Sequence, residues 1–114
     1  MDKKLEDALA FANYRLTLQV QRQNINAQIE SALLVSHQSA IFKSTQELIA
    51  FVGIKTTRNE KVFVEDHSGN VITIDDANEF LNVLIQAYDS AMETKQVEQK
   101  KLKLARSTAK IVGL

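Results

Sequence analysis

Cysteine, proline and tryptophan do not occur in this chain of 114 residues, and glycine occurs only three times, at Gly53, Gly69 and Gly113. Without cysteine there can be no disulfide, zinc thiolate site or thiol nucleophile, and the absence fits a reducing compartment. Without proline and with so few glycines, few sharp turns are specified. Aromatic residues make up 6% of the chain, so a core must be built mainly from Leu, Ile, Val and Ala. No sign of charge dominates: 14 basic residues balance 14 acidic ones, so the whole molecule has no electrostatic claim on nucleic acid or an acidic membrane surface. No apolar run approaches the roughly 18 residues of a membrane span. The opening stretch, Met1 to Arg15, scatters acids and bases and reads as neither a signal peptide nor an anchor. A chain of this length is most simply one domain, 1–114, with residues 102–114 projecting from its compact part.

What is present is helix. Residues 76–111 contain no breaker, and Ala77, Leu81, Leu84, Tyr88, Ala91, Lys95, Glu98, Leu102, Ala105, Ala109 and Val112 alternate by four and three, the heptad spacing of one helical seam. Such a helix reaches about 55 Å at about 1.5 Å per residue, and something must pack along it. Residues 3–30 predict a partner, also rich in helix formers. There Leu5, Leu9, Ala12 and Leu16 form one stripe, and Phe11, Leu18, Ile25, Ile29 and Leu33 a second, displaced around the helix. The polar stretch from Gln19 to Gln28 would meet Lys95 and Glu98 if the helices pair antiparallel, the polar residues fixing register.

Between the long helices the character changes. Residues 33–35 and 41–43 read as a short hairpin, with the alternative that the first helix continues through Val35. Ser44 and Glu47 form a capping box that starts a short helix over 45–52, with Leu48, Phe51 and Val52 inward and Gly53 as its stop. Residues 61–66 and 71–74 alternate about a turn at His67 to Asn70 and predict a β-hairpin, its buried face set by Phe63 with either Ile72 or the Val71/Thr73 pair, according to register. Asp76 with Glu79 caps the final helix. The fold class is therefore α+β.

Site chemistry is sparse. Counting a calcium loop from Asp66 puts Val71 at the position that requires glycine and Ala77 at the one that requires a bidentate glutamate; a turn and a helix cap explain the same acids. His37 and His67 lie in different turns, and neither has a nucleophile or orienting partner in sequence. No nucleophile elbow or phosphate loop occurs. The chain reads as non-enzymatic, with no cofactor and no metal. Leu81, Leu84, Tyr88, Leu102, Ala105 and Val112 are the interaction seam. Lys100, Lys101, Lys103, Arg106 and Lys110, with no acid among them, are a candidate contact for an anion or an acidic partner. The bland alternative is a solvated helix end that complements its dipole, favoured because no aromatic is interleaved for base stacking.

Several segments resemble small proteins of T4-like tailed bacteriophages: Ala8 to Leu18, Ile41-Phe42-Lys43 before Leu48 to Phe51, Asp66 to Ile72, and Lys101 to Lys103 with Arg106-Ser107 and Lys110 to Val112. The pieces span most of the chain in order. Where such relatives have glycines after Val35, this sequence has His37-Gln38-Ser39. The resemblance implies a phage accessory, virion or assembly protein in the host cytoplasm or the particle, and transfers no functional residue. Residues and resemblance together predict a structural or assembly protein that contacts itself or another protein, without a membrane. Nucleic-acid regulation through the basic end, or docking on a host enzyme as an inhibitor, are the alternatives.

Overall fold

The computed structural model describes residues 2–111, with side chains described through Ser107. Its elements are α1 (Lys3–Ala32), β1 (Leu34–His37), β2 (Ala40–Lys43), α2 (Gln46–Thr57), β3 (Phe63–Glu65), β4 (Val71–Thr73) and α3 (Ala77–Ile111). The two sheets are antiparallel two-stranded hairpins, β1 with β2 and β3 with β4, so the fold is α+β with two long helices and one short one. The chain divides into two compact units: Met1–Gln28 with Thr94–Leu114, and Ile29–Glu93. We call these the helical unit and the mixed unit.

The mixed unit carries the core. Val35, Ala40 and Phe42 from the first hairpin, Val52 from α2, Val62, Val64 and Ile74 around the second hairpin, and Phe80 and Leu84 from α3 form one buried cluster. The Phe80 ring lies 4.9 Å from Phe42, edge-on, and 4.9 Å from His37. Phe80 lies off the heptad seam. Here α3 buries a broad stripe in which Ala77, Leu81, Val83 and Ala87 flank Phe80 and Leu84, as a helix covering a globular core does and a two-helix coiled coil does not.

The first hairpin forms, and α1 stops at Ala32. His37 pairs with Ala40, leaving Gln38 and Ser39 as a two-residue turn with φ of 50° and 62°. Positive φ at both positions is the type I′ geometry that Asn-Gly normally supplies. Here Gln38 offsets the cost with its side chain: the amide nitrogen donates to the Thr73 carbonyl (3.0 Å) and the amide oxygen accepts from the Asp75 N–H (2.9 Å). With the His67 N–H donating to the Ile41 carbonyl (2.7 Å), these bonds tie the two hairpins together. Glu30 and Lys43 form an ion pair beside the first.

Three local expectations are corrected. Thr45, not Ser44, caps α2, its hydroxyl accepting from the Leu48 N–H at 3.1 Å. Ser44 is fully buried, and its hydroxyl donates to the Leu84 carbonyl at 2.5 Å. Second, α2 runs through Gly53 to Thr57. It ends in a Schellman arrangement, with Asn59 at φ 54° and the N–H groups of Asn59 and Glu60 donating to the carbonyls of Thr56 and Lys55 (3.2 and 3.1 Å). Asparagine tolerates this left-handed conformation, so glycine is not needed there. Phe51, expected inward, is exposed. Third, the parity of the second hairpin is reversed: Val62, Val64 and Ile74 face the core, while Phe63, paired with Thr73, is 55% exposed. The Asp76 cap is as expected, its carboxylate accepting from the Glu79 N–H at 3.1 Å.

Gly53 in the middle of α2 yields a first prediction. A Cβ built there meets nothing within 4 Å, and alanine is the better helix former by about 1 kcal/mol. Gly53→Ala should raise the thermal unfolding midpoint by a few degrees, on the order of the 4–8 °C that 1 kcal/mol is worth in a small domain. An unchanged or lowered midpoint would refute it.

Candidate functional site

The zero net charge conceals a strong segregation. The helical unit, Met1–Gln28 with Thr94–Leu114, holds 10 basic and 4 acidic residues; the mixed unit, Ile29–Glu93, holds 4 basic and 10 acidic ones. The cause is two acid-free runs, Ala8 to Ile29 and Gln99 to Leu114. Most ion pairs of the described residues lie in the mixed unit, where Glu60 takes both Lys55 (2.8 Å) and Arg58 (2.5 Å).

In the helical unit α1 has two apolar faces. At about 100° per residue, Tyr14, Leu18 and Ile25 lie together, and these are the half-buried residues of the segment. Leu5, Leu9, Leu16 and Val20 lie nearly opposite and are 45–59% exposed. The first face borders α3. A groove of about 370 Å³ lies between Gln21, Ile25 and Gln28 of α1 and Glu98, Leu102 and Ala105 of α3. A second, of about 490 Å³, has Arg22, Ile25 and Asn26 against Lys95, Gln99, Leu102, Lys103 and Arg106. Gln28 and Glu98 line one of these grooves and Arg22 and Arg106 the other, so polar side chains of both helices wall them. A third cavity, of about 880 Å³, has Phe11, Tyr14, Arg15, Leu18, Arg22 and Arg106 in its wall. It shares Arg22 and Arg106 with the second. The Arg15 guanidinium stands 5.9 Å from the centre of the Phe11 ring.

The expected seam therefore divides. Leu84 is fully buried in the core of the mixed unit and Leu81 is packed against that core, while Tyr88 is half-buried. Leu102 is half-buried and Ala105 exposed, both on the groove walls of the helical unit. Val112 lies outside the described residues. The basic set divides as well. Lys103 and Arg106 line the second groove; Lys101 pairs with Glu98 at 3.2 Å. Lys100 is exposed and lines none of these grooves, and the side chain of Lys110 lies outside those described. Sequence reasoning missed Arg15, Arg22 and Lys95, which join Lys103 and Arg106 from distant positions. The acid-free runs are the signal that could have found them.

The residues weighed for chemistry have structural work. The Asp66 carboxylate accepts from the N–H groups of Ser68 (3.0 Å) and Asn70 (2.9 Å), closing the turn in which Gly69 has φ 90°. His37 packs with its ring tilted by 40° against that of Phe80. Among the described residues, no three His, Asp or Glu side chains gather closely enough to hold a metal ion, and no helix is long and apolar enough to cross a membrane. No protein-family model, curated protein or solved structure matches the chain.

Proposed function

We propose that this chain is a non-enzymatic assembly protein that associates with a second copy of itself through the outer face of α1. The observation that carries the reading is the stripe of Leu5, Leu9, Leu16 and Val20, exposed on the side of α1 away from Tyr14, Leu18 and Ile25. Four large aliphatic side chains in line on one helix are costly to leave in water. The spacing is also self-complementary. An antiparallel second copy sets Leu5 against Val20 and Leu9 against Leu16 in both directions, with Ala12 at the crossing, the isologous contact of a two-fold dimer. The resemblance to phage proteins supports a role in a virion or its assembly.

The magnitude bounds the affinity. These side chains are already about half-covered, so each contributes about 1 kcal/mol on burial. Eight of them give a gross gain of about 8 kcal/mol before the cost of association is subtracted, so this face alone supports dimers no tighter than about micromolar. Light scattering across a concentration series should show the mean mass rising from monomer towards dimer at high micromolar protein. A constant monomer mass to millimolar concentration would overturn the reading.

A further inference from the structure

We infer that the helical unit binds single-stranded nucleic acid in the cationic groove between α1 and α3. The two cavities that share Arg22 and Arg106 form one path lined by Arg15, Arg22, Lys95, Lys103 and Arg106, with no acidic side chain in either wall. Among the described residues none of these five cations is in an ion pair with an acid. Confining like charges around one groove raises the local potential and draws in a polyanion. The clustering is a cost to the free protein that an anionic backbone would relieve.

The chemistry of the walls selects among polyanions. Phe11, half exposed, and Tyr14 stand in the wall that continues from Arg22 and Arg106, and Ile25 and Leu102 are half-buried between the cations. Aromatic rings beside a cationic track are the elements with which proteins hold single strands, the rings stacking bases and the cations following phosphates. An acidic peptide would use the cations and leave the rings idle. The acid-rich mixed unit repels the same strand, which confines binding to the helical unit. The cations and rings that carry this inference are not those of self-association: Phe11, Arg15 and Arg22 lie roughly 120° around α1 from the Leu5–Val20 stripe at about 100° per residue, and the two surfaces adjoin where Ala12 and Leu16 also border the third cavity.

The test is fluorescence anisotropy of a short labelled oligothymidylate with the full chain at low ionic strength. Binding should weaken with salt with a log–log slope of roughly −3, as expected for four or five phosphates neutralised. Arg22→Glu and Arg106→Glu should each weaken binding at least about tenfold, and Phe11→Ala by roughly 5- to 100-fold. Lys100→Glu makes the same change in net charge away from the groove and should change affinity less than about threefold. Circular dichroism should show all four variants with unaltered helix content, since each site is exposed; Arg22→Gln, which adds no charge, is the substitute if Arg22→Glu is not. No measurable binding overturns the inference. So does an equal loss from Lys100→Glu, which would mean net charge alone, or polyglutamate competing as well as oligothymidylate with Phe11→Ala silent, which would assign the groove to an acidic protein.

Discussion

Phe80→Ala is expected to destabilise the mixed unit by about 3–5 kcal/mol, the largest loss from any single truncation considered for this chain. Phe80 is 0% exposed and lies between the Phe42 and His37 rings, so its removal opens a cavity where α3 meets the first hairpin. Both aromatic contacts are lost together with the transfer free energy of the ring. Against a total stability of about 5–15 kcal/mol for a typical domain, that is enough to leave a substantial population unfolded at ambient temperature. Phe63→Ala is the internal control. Phe63 is 55% exposed, and its truncation should cost less than about 1 kcal/mol. Urea denaturation followed by circular dichroism separates the two. Equal costs would mean that the strand parity and core described above are wrong.

The pair also marks where the sequence was legible. Uninterrupted helix formers and the Asp76 cap are local signals, and they located both long helices. The second hairpin was visible because alternation and a Gly-Asn turn agree, yet its parity was not. Val62, Val64 and Ile74 face the core while Phe63 does not, a choice made by the facing surfaces of α2 and α3 and not by the strand. The Gln38-Ser39 turn was obscure for a related reason. Its left-handed backbone is supported by bonds from Gln38 to Thr73 and Asp75, more than thirty residues away in sequence. Gly53 misled because glycine is a common stop, whereas the actual stop, Asn59, works through a bonding pattern visible only once the helix is drawn. Phe80 was missed because a heptad template is narrower than the stripe that a globular core buries.

The candidate site was legible in halves. Lys103 and Arg106 stand out in a basic run, but a sum over the whole chain cancels ten bases in one unit against ten acids in the other. The fold separates these contributions, and only then does the groove acquire its sign. Arg15 and Arg22 carried no local signal beyond the lack of acids around them, since a lone arginine on a polar helix is ordinarily a solvated one. The two stripes on α1 were both readable by spacing. Which one serves the helical pair and which faces solvent depends on where α3 lies.

That division of α1 sets the second large effect. Leu9→Asp with Leu16→Asp should abolish measurable self-association, a weakening of at least about 100-fold, because the antiparallel contact places the new carboxylate at position 9 of one copy against that at position 16 of the other in a desolvated centre. Both sites are about half exposed or more, so folding stability should change by less than about 1 kcal/mol. Leu18→Asp supplies the opposite signature. Leu18 is half-buried on the face that borders α3, and a carboxylate there should loosen the helical unit, lowering helix content and protection of its amides from exchange. Sedimentation equilibrium read beside hydrogen exchange distinguishes the cases. If Leu9→Asp with Leu16→Asp left the mass distribution untouched while Leu18→Asp dissociated an oligomer, the faces would have been assigned the wrong way round. The inner stripe would then be the intermolecular one, and α1 and α3 would owe their pairing to a second chain.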